Sequence, residues 1–89
     1  MPEVLKKLNL KGYHYDPETE DKLGSIFYIS DECEDDWIRI SKISGAAYET
    51  YVITFVVGCE DTKIKISACD EGQAGNFEIW LNEEIASLW

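Results

Sequence analysis

The 89 residues, 45% hydrophobic and 12% aromatic, suffice for one domain with a modest core and exclude a disordered acidic tail. Eighteen Asp and Glu against eight Lys and Arg give a formal net charge of -10, which argues against direct binding of nucleic acid or an anionic membrane. No stretch approaches the roughly 20 apolar residues of a membrane span. The start from Met1 to Lys7 has no apolar signal core, and three cysteines, an odd number, favour a reducing, cytoplasmic setting over a disulfide framework.

In chain order, Pro2, Glu3 and the apolar Val4, Leu5 and Leu8 predict a short N-terminal helix, because proline and an early acid suit a first helical turn. Residues 9–15 read as extended, with Tyr13 and Tyr15 on one face and His14 on the other. Asp16 to Asp21 reads as a loop, since Asp-Pro favours a turn. Four further strands are predicted. Leu23 to Ser30 is apolar and β-rich. Trp37 to Ile43 puts Ile38 and Ile40 on one face and Trp37, Arg39 and Ser41 on the other. Tyr48 to Val57 sets Tyr51, Ile53, Phe55 and Val57 against Tyr48, Thr50, Val52, Thr54 and Val56. In Thr62 to Cys69 the alternation predicts Ile64, Ile66 and Ala68 inward and Lys63, Lys65 and Ser67 outward. Short turns at Ser44-Gly45-Ala46 and Gly58-Cys59-Glu60-Asp61 predict antiparallel hairpins, because parallel pairs need long crossovers. Phe77, Trp80, Leu81, Ile85 and Leu88 form a helical stripe with Asn76 as N-cap, although Phe77, Ile79 and Leu81 also alternate as a strand. Glu83 and Glu84 are poor strand residues and favour the helix. The expectation is one acidic α+β domain over residues 1–89: a meandering antiparallel sheet of four or five strands, a short N-terminal helix, and a C-terminal helix packed on one face.

The charge is unevenly placed. Residues 16–36 hold nine carboxylates and one base, Lys22, while the other 68 residues hold nine acids and seven bases. In a meander, Asp31, Glu32, Glu34, Asp35 and Asp36 share one end of the sheet with Glu60 and Asp61. Asp16, Glu18, Glu20 and Asp21 share the opposite end with Asp70 and Glu71, about 26 Å away along a strand of eight residues. Carboxylates two residues apart in extended chain lie roughly 6.6 Å from one another, a spacing comparable to that of phosphates along a nucleic-acid strand. A protein groove lined with Lys and Arg to hold phosphates would accept such a surface, with Trp37 as an aromatic anchor and Tyr28 and Tyr48 as further candidates.

Other chemistry has less support. An EF-hand loop needs Gly at position 6 and Glu at position 12; counted from Asp31 these are Asp36 and Lys42, and from Asp16 they are Asp21 and Phe27. Cys33, Cys59 and Cys69 show no CxxC spacing, and His14 is the one histidine, so neither zinc nor any other cofactor is expected. Cys33 and Cys59 are placed to approach at one end of the meander. No nucleophile elbow, triad motif or phosphate-binding glycine loop is present, so the chain does not read as an enzyme.

In size and charge the chain resembles phage-encoded anti-restriction and anti-CRISPR proteins and the acidic immunity proteins that neutralise nuclease toxins. No segment carries a motif of those families, so no residue role is transferred. The resemblance implies a small cytoplasmic inhibitor that covers the basic nucleic-acid-binding surface of an enzyme and competes with DNA or RNA. An adaptor module with incidental acidity and a weak calcium-binding domain are the alternatives.

Overall fold

In the computed structural model, which describes residues 3–19, 24–43, 50–58, 60–68 and 74–88, five strands pair antiparallel in chain order. They are β1 (Tyr13–Asp16), β2 (Ile26–Ser30), β3 (Trp37–Ile43), β4 (Thr50–Val57) and β5 (Glu60–Ala68), followed by one helix, α1 (Ala74–Leu88). The result is the expected α+β meander.

Register decides which residues share a face. Ile38 pairs with Phe55, Ile40 with Ile53, Tyr28 with Ile38 and Tyr15 with Tyr28, so these side chains, together with Tyr51, Ile26 and Tyr13, form one row after another on one side of the sheet. Phe77, Leu81 and Ile85 of α1 complete the buried cluster, with Trp80 and Leu88 partly buried against it. Each fully buried aliphatic or aromatic side chain contributes about 1.5–3 kcal/mol. The stripe predicted for the last segment is therefore the docking face of a helix. Its start differs from expectation: α1 begins at Ala74, which puts Asn76 inside the first turn and not at the N-cap.

The short N-terminal helix is present and is of the 3-10 type, Glu3–Lys7. Five residues cannot complete a ladder of helical hydrogen bonds, and outside groups satisfy its ends. The Tyr28 hydroxyl donates to the Leu5 carbonyl at 2.5 Å and accepts from the Leu8 N–H at 3.0 Å. From α1, the Glu78 carboxylate accepts the Asn9 N–H. Asn82 accepts the Lys11 N–H at 2.8 Å and donates to the Asn9 carbonyl at 3.0 Å. Leu5 and Leu10 are buried as a result.

Two further expectations are corrected. Glu60 and Asp61 belong to β5, paired opposite Val57 and Val56, instead of to the turn, and Gly58 follows β4 at φ +63°. Lys65 pairs with Ile53 and Lys63 with Phe55, which sets the lysine positions of β5 on the helix side and Ile64 on the other, where it is 59% exposed. The cause is an irregularity at Phe55/Val56, where β5 carries one extra residue against β4; a one-residue offset reverses every side chain beyond it. Pro2, Tyr48, the turn at residues 44–46, and Glu20 and Asp21 lie outside the described residues. Among the described residues no helix is long and apolar enough to cross a membrane.

The assignment of faces is tested by a pair of substitutions. Ile53→Ala lowers unfolding free energy by about 2–5 kcal/mol, whereas Ile64→Ser changes it by less than about 0.5 kcal/mol, both read from urea denaturation. A second test uses pH. Burial, then the neighbouring Tyr15 and Glu78, push the Tyr28 phenol up to about 12, against the pull of the Leu8 N–H. Above its ordinary value of 10 the unfolded chain loses this proton while the folded protein keeps it. The stabilising effect is complete below that pH and declines as pH rises toward about 12. Tyr28→Phe removes this part of the alkaline slope in urea melts, and at neutral pH it costs about 1–3 kcal/mol through the two unmade hydrogen bonds.

Candidate functional site

Neighbouring antiparallel strands send alternate connections to the same end of a sheet. The 31–36 loop joins β2 to β3 and Gly58 begins the connection from β4 to β5, so both emerge beside one another. The Gly58 N–H donates to Asp36 Oδ1 at 2.9 Å and ties the two together. The loop is also closed on itself. The Ser30 N–H reaches the Asp36 carbonyl at 2.8 Å, the Asp36 N–H the Cys33 carbonyl at 3.1 Å, and the Asp31 N–H the Gly12 carbonyl at 3.0 Å. The Glu32 N–H bonds the Ser30 hydroxyl at 3.2 Å. The N–H groups of Asp31, Glu32 and Asp36 are thus bonded and hold the loop in place, while Asp31, Glu32, Glu34 and Asp35 are exposed and Asp36 is half-buried.

Asp31 Oδ1 sits 2.7 Å from His14 Nδ1, with 58% of each side chain exposed. No lysine or arginine pairs with Glu32 or Glu34 among the described residues. The Asp36 carboxylate acts inward as well: burial first, then this negative charge, raises the Tyr13 phenol above its ordinary value.

Asp16 is placed differently from expectation. β1 and β2 have only four and five residues, so the two ends of the sheet are close together on this side. Asp16 shares an open groove of about 630 Å³ with His14, Ile29, Asp31, Glu32 and Glu34, instead of standing at a remote pole. Its carboxylate accepts the Glu18 N–H at 3.1 Å, which starts the 3-10 turn Pro17–Thr19; Glu18 is exposed. The structure therefore gathers Asp16, Asp31, Glu32 and Glu34, and the backbone register brings Glu60 and Asp61 to the same end as the 31–36 loop. Glu20, Asp21, Asp70 and Glu71 lie outside the described residues.

Trp37 lies half-buried on the face that α1 leaves open, across the strand pair from Ile29. Its ring meets Phe27 edge-on, centroids 5.4 Å apart at 61°. Phe27, Ile29, Trp37 and Glu34 enclose a notch of about 330 Å³ that adjoins the acidic groove. Phe27, Ile29 and His14 are the participants that residue types alone did not single out. In β2 every residue from Ile26 to Ile29 is apolar or aromatic, so alternation there does not reveal which pair faces the open side. Tyr28, by contrast, is 1% exposed and cannot serve as a contact anchor. Cys33 is a free, exposed thiol, and Cys59 and Cys69 lie outside the described residues. Among the described residues, no three His, Cys, Asp or Glu side chains are grouped to hold a metal ion.

Compared with protein-family models, with curated proteins and with solved structures, the chain has no match.

The tie between loop and turn is open to a direct test. Asp36→Ala removes the acceptor for Gly58 and lowers stability by about 1 kcal/mol, with faster amide exchange at Gly58. Asp36→Asn retains an Oδ1 acceptor and keeps both properties near the parent protein, which separates the hydrogen bond from the charge.

Proposed function

We propose that this chain is a small acidic inhibitor that covers the basic nucleic-acid-binding surface of an enzyme and competes there with DNA or RNA. The observation that carries this reading is the backbone-pinned 31–36 loop, whose exposed carboxylates stand beside Asp16 and Trp37 on one side of the sheet. A pinned loop loses little conformational entropy on docking, so more of the electrostatic attraction remains as affinity. Opposite fields also accelerate encounter with a cationic cleft, and a half-buried indole provides an apolar contact that charge alone lacks. Such a competitor acts in the reducing cytoplasm beside its target, where Cys33 remains a thiol. It carries out no reaction of its own and needs no cofactor.

A second reading, an adaptor that binds through its uncovered sheet face, draws on one feature: Ile43 and Ile64 stand 38% and 59% exposed on that side. Charge separates the two.

In the quadruple variant Asp31→Asn, Glu32→Gln, Asp35→Asn and Asp36→Asn, the fold is retained by circular dichroism and thermal melting. Partner capture from host lysate falls by roughly four- to 900-fold, as expected for four charges worth about 0.2–1 kcal/mol each. Parent binding weakens as salt rises from 50 to 500 mM and is displaced by added double-stranded DNA or RNA. Capture that is indifferent to both salt and the four substitutions supports the adaptor instead.

A further inference from the structure

We infer that the notch between Phe27, Ile29, Trp37 and Glu34 is a receptor for the guanidinium of an arginine side chain presented by a basic protein. Three walls are apolar or aromatic and the fourth is a carboxylate, which is the complement of a flat cation on an apolar stem. The edge-on contact of Phe27 with Trp37 holds the two rings in place as the notch wall, and a guanidinium seated against an aromatic face gains from the ring quadrupole. Glu34 is exposed and forms no ion pair among the described residues, so its oxygens are available for two parallel N–H donors.

The surroundings favour a cation. The adjoining groove adds Asp16, Asp31 and Glu32, against His14, whose Nδ1 is engaged with Asp31. Among the described residues, Arg39 is the Lys or Arg on the same face. It lies across from Phe27 in register, is half-buried and does not line the notch. Carboxylates outnumber bases around the opening, and a small anion or a neutral apolar side chain is the poorer fit. The source of the arginine rests on the inhibitor reading above; the chemistry of the notch does not.

The test uses the intact protein and two capped tripeptides, Gly-Arg-Gly and Gly-citrulline-Gly, which differ in charge but hardly in shape. In NMR titrations at low salt, the arginine peptide shifts the Trp37 indole N–H and the Ile29 methyl signals saturably, and the citrulline peptide does not. Glu34→Gln weakens the arginine response by roughly two- to five-fold, and Trp37→Leu, read at Ile29, does the same. Equal responses to the two peptides overturn the assignment. So do shifts confined to the 31–36 amides, or a response unchanged in Glu34→Gln. The two proposals also part company. If the notch takes arginine but the protein does not compete with DNA or RNA for its captured partner, the inhibitor reading falls and the notch stands. If the arginine and citrulline peptides act alike but competition with DNA or RNA is lost with the four loop substitutions, the notch falls and the inhibitor reading stands.

Discussion

The pairing of β4 on both its edges is the constraint on which the rest of the molecule depends. The strand pairs with β3 from Thr50 to Val56 on one side and with β5 from Thr50 to Val57 on the other, and Tyr51, Ile53 and Phe55 form the buried row to which the neighbouring strands are registered. Side chains alternate with period two, so this register assigns Ile38 and Ile40 to the core and sends Trp37 and Arg39 to the open face. It also brings the 31–36 loop and Gly58 to one end, within reach of the Asp36–Gly58 hydrogen bond.

A single helix covers one side of this sheet, and polar groups determine where it sits. Glu78 and Asn82, one helical turn apart, bind the backbone at Asn9 and Lys11, while Tyr28 binds it at Leu5 and Leu8. A chain segment without regular hydrogen bonding can lie against an apolar core only when such partners meet its N–H and C=O groups. The other side has no such cover among the described residues. Thr54 and Val56 of the central strand are nevertheless buried there, whereas the more lateral Phe27, Ile29 and Trp37 remain partly open.

The acidic loop combines two properties that usually oppose one another. Like charges in close sequence repel and favour an open ensemble, yet here the backbone is held by its own hydrogen bonds and by contacts to Gly12 and Gly58. Order is thus supplied by the main chain with Ser30 and Asp36, and the carboxylates of Glu32 and Glu34 are left to solvent. For the proposed inhibitor this division of labour presents a preorganised anionic surface, with the aromatic notch at its border providing shape.

Much of the architecture was legible in residue order. The alternation in Trp37–Ile43 and Thr50–Val57, the short turns and the stripe from Phe77 to Leu88 led to a meander with a helix on one face, because strong periodicity survives tertiary context. The local wealth of carboxylates in residues 16–36 was equally plain. Only the folded chain decided the rest. One extra residue opposite Phe55/Val56 turned β5 over, and the brevity of β1 and β2 drew Asp16 to the 31–34 carboxylates. The same pairing set Phe27 beside Trp37 and Tyr28 beneath the 3-10 turn. Periodicity reports that a strand has two sides; which side meets the core is determined by register, a relation between strands that no single segment contains.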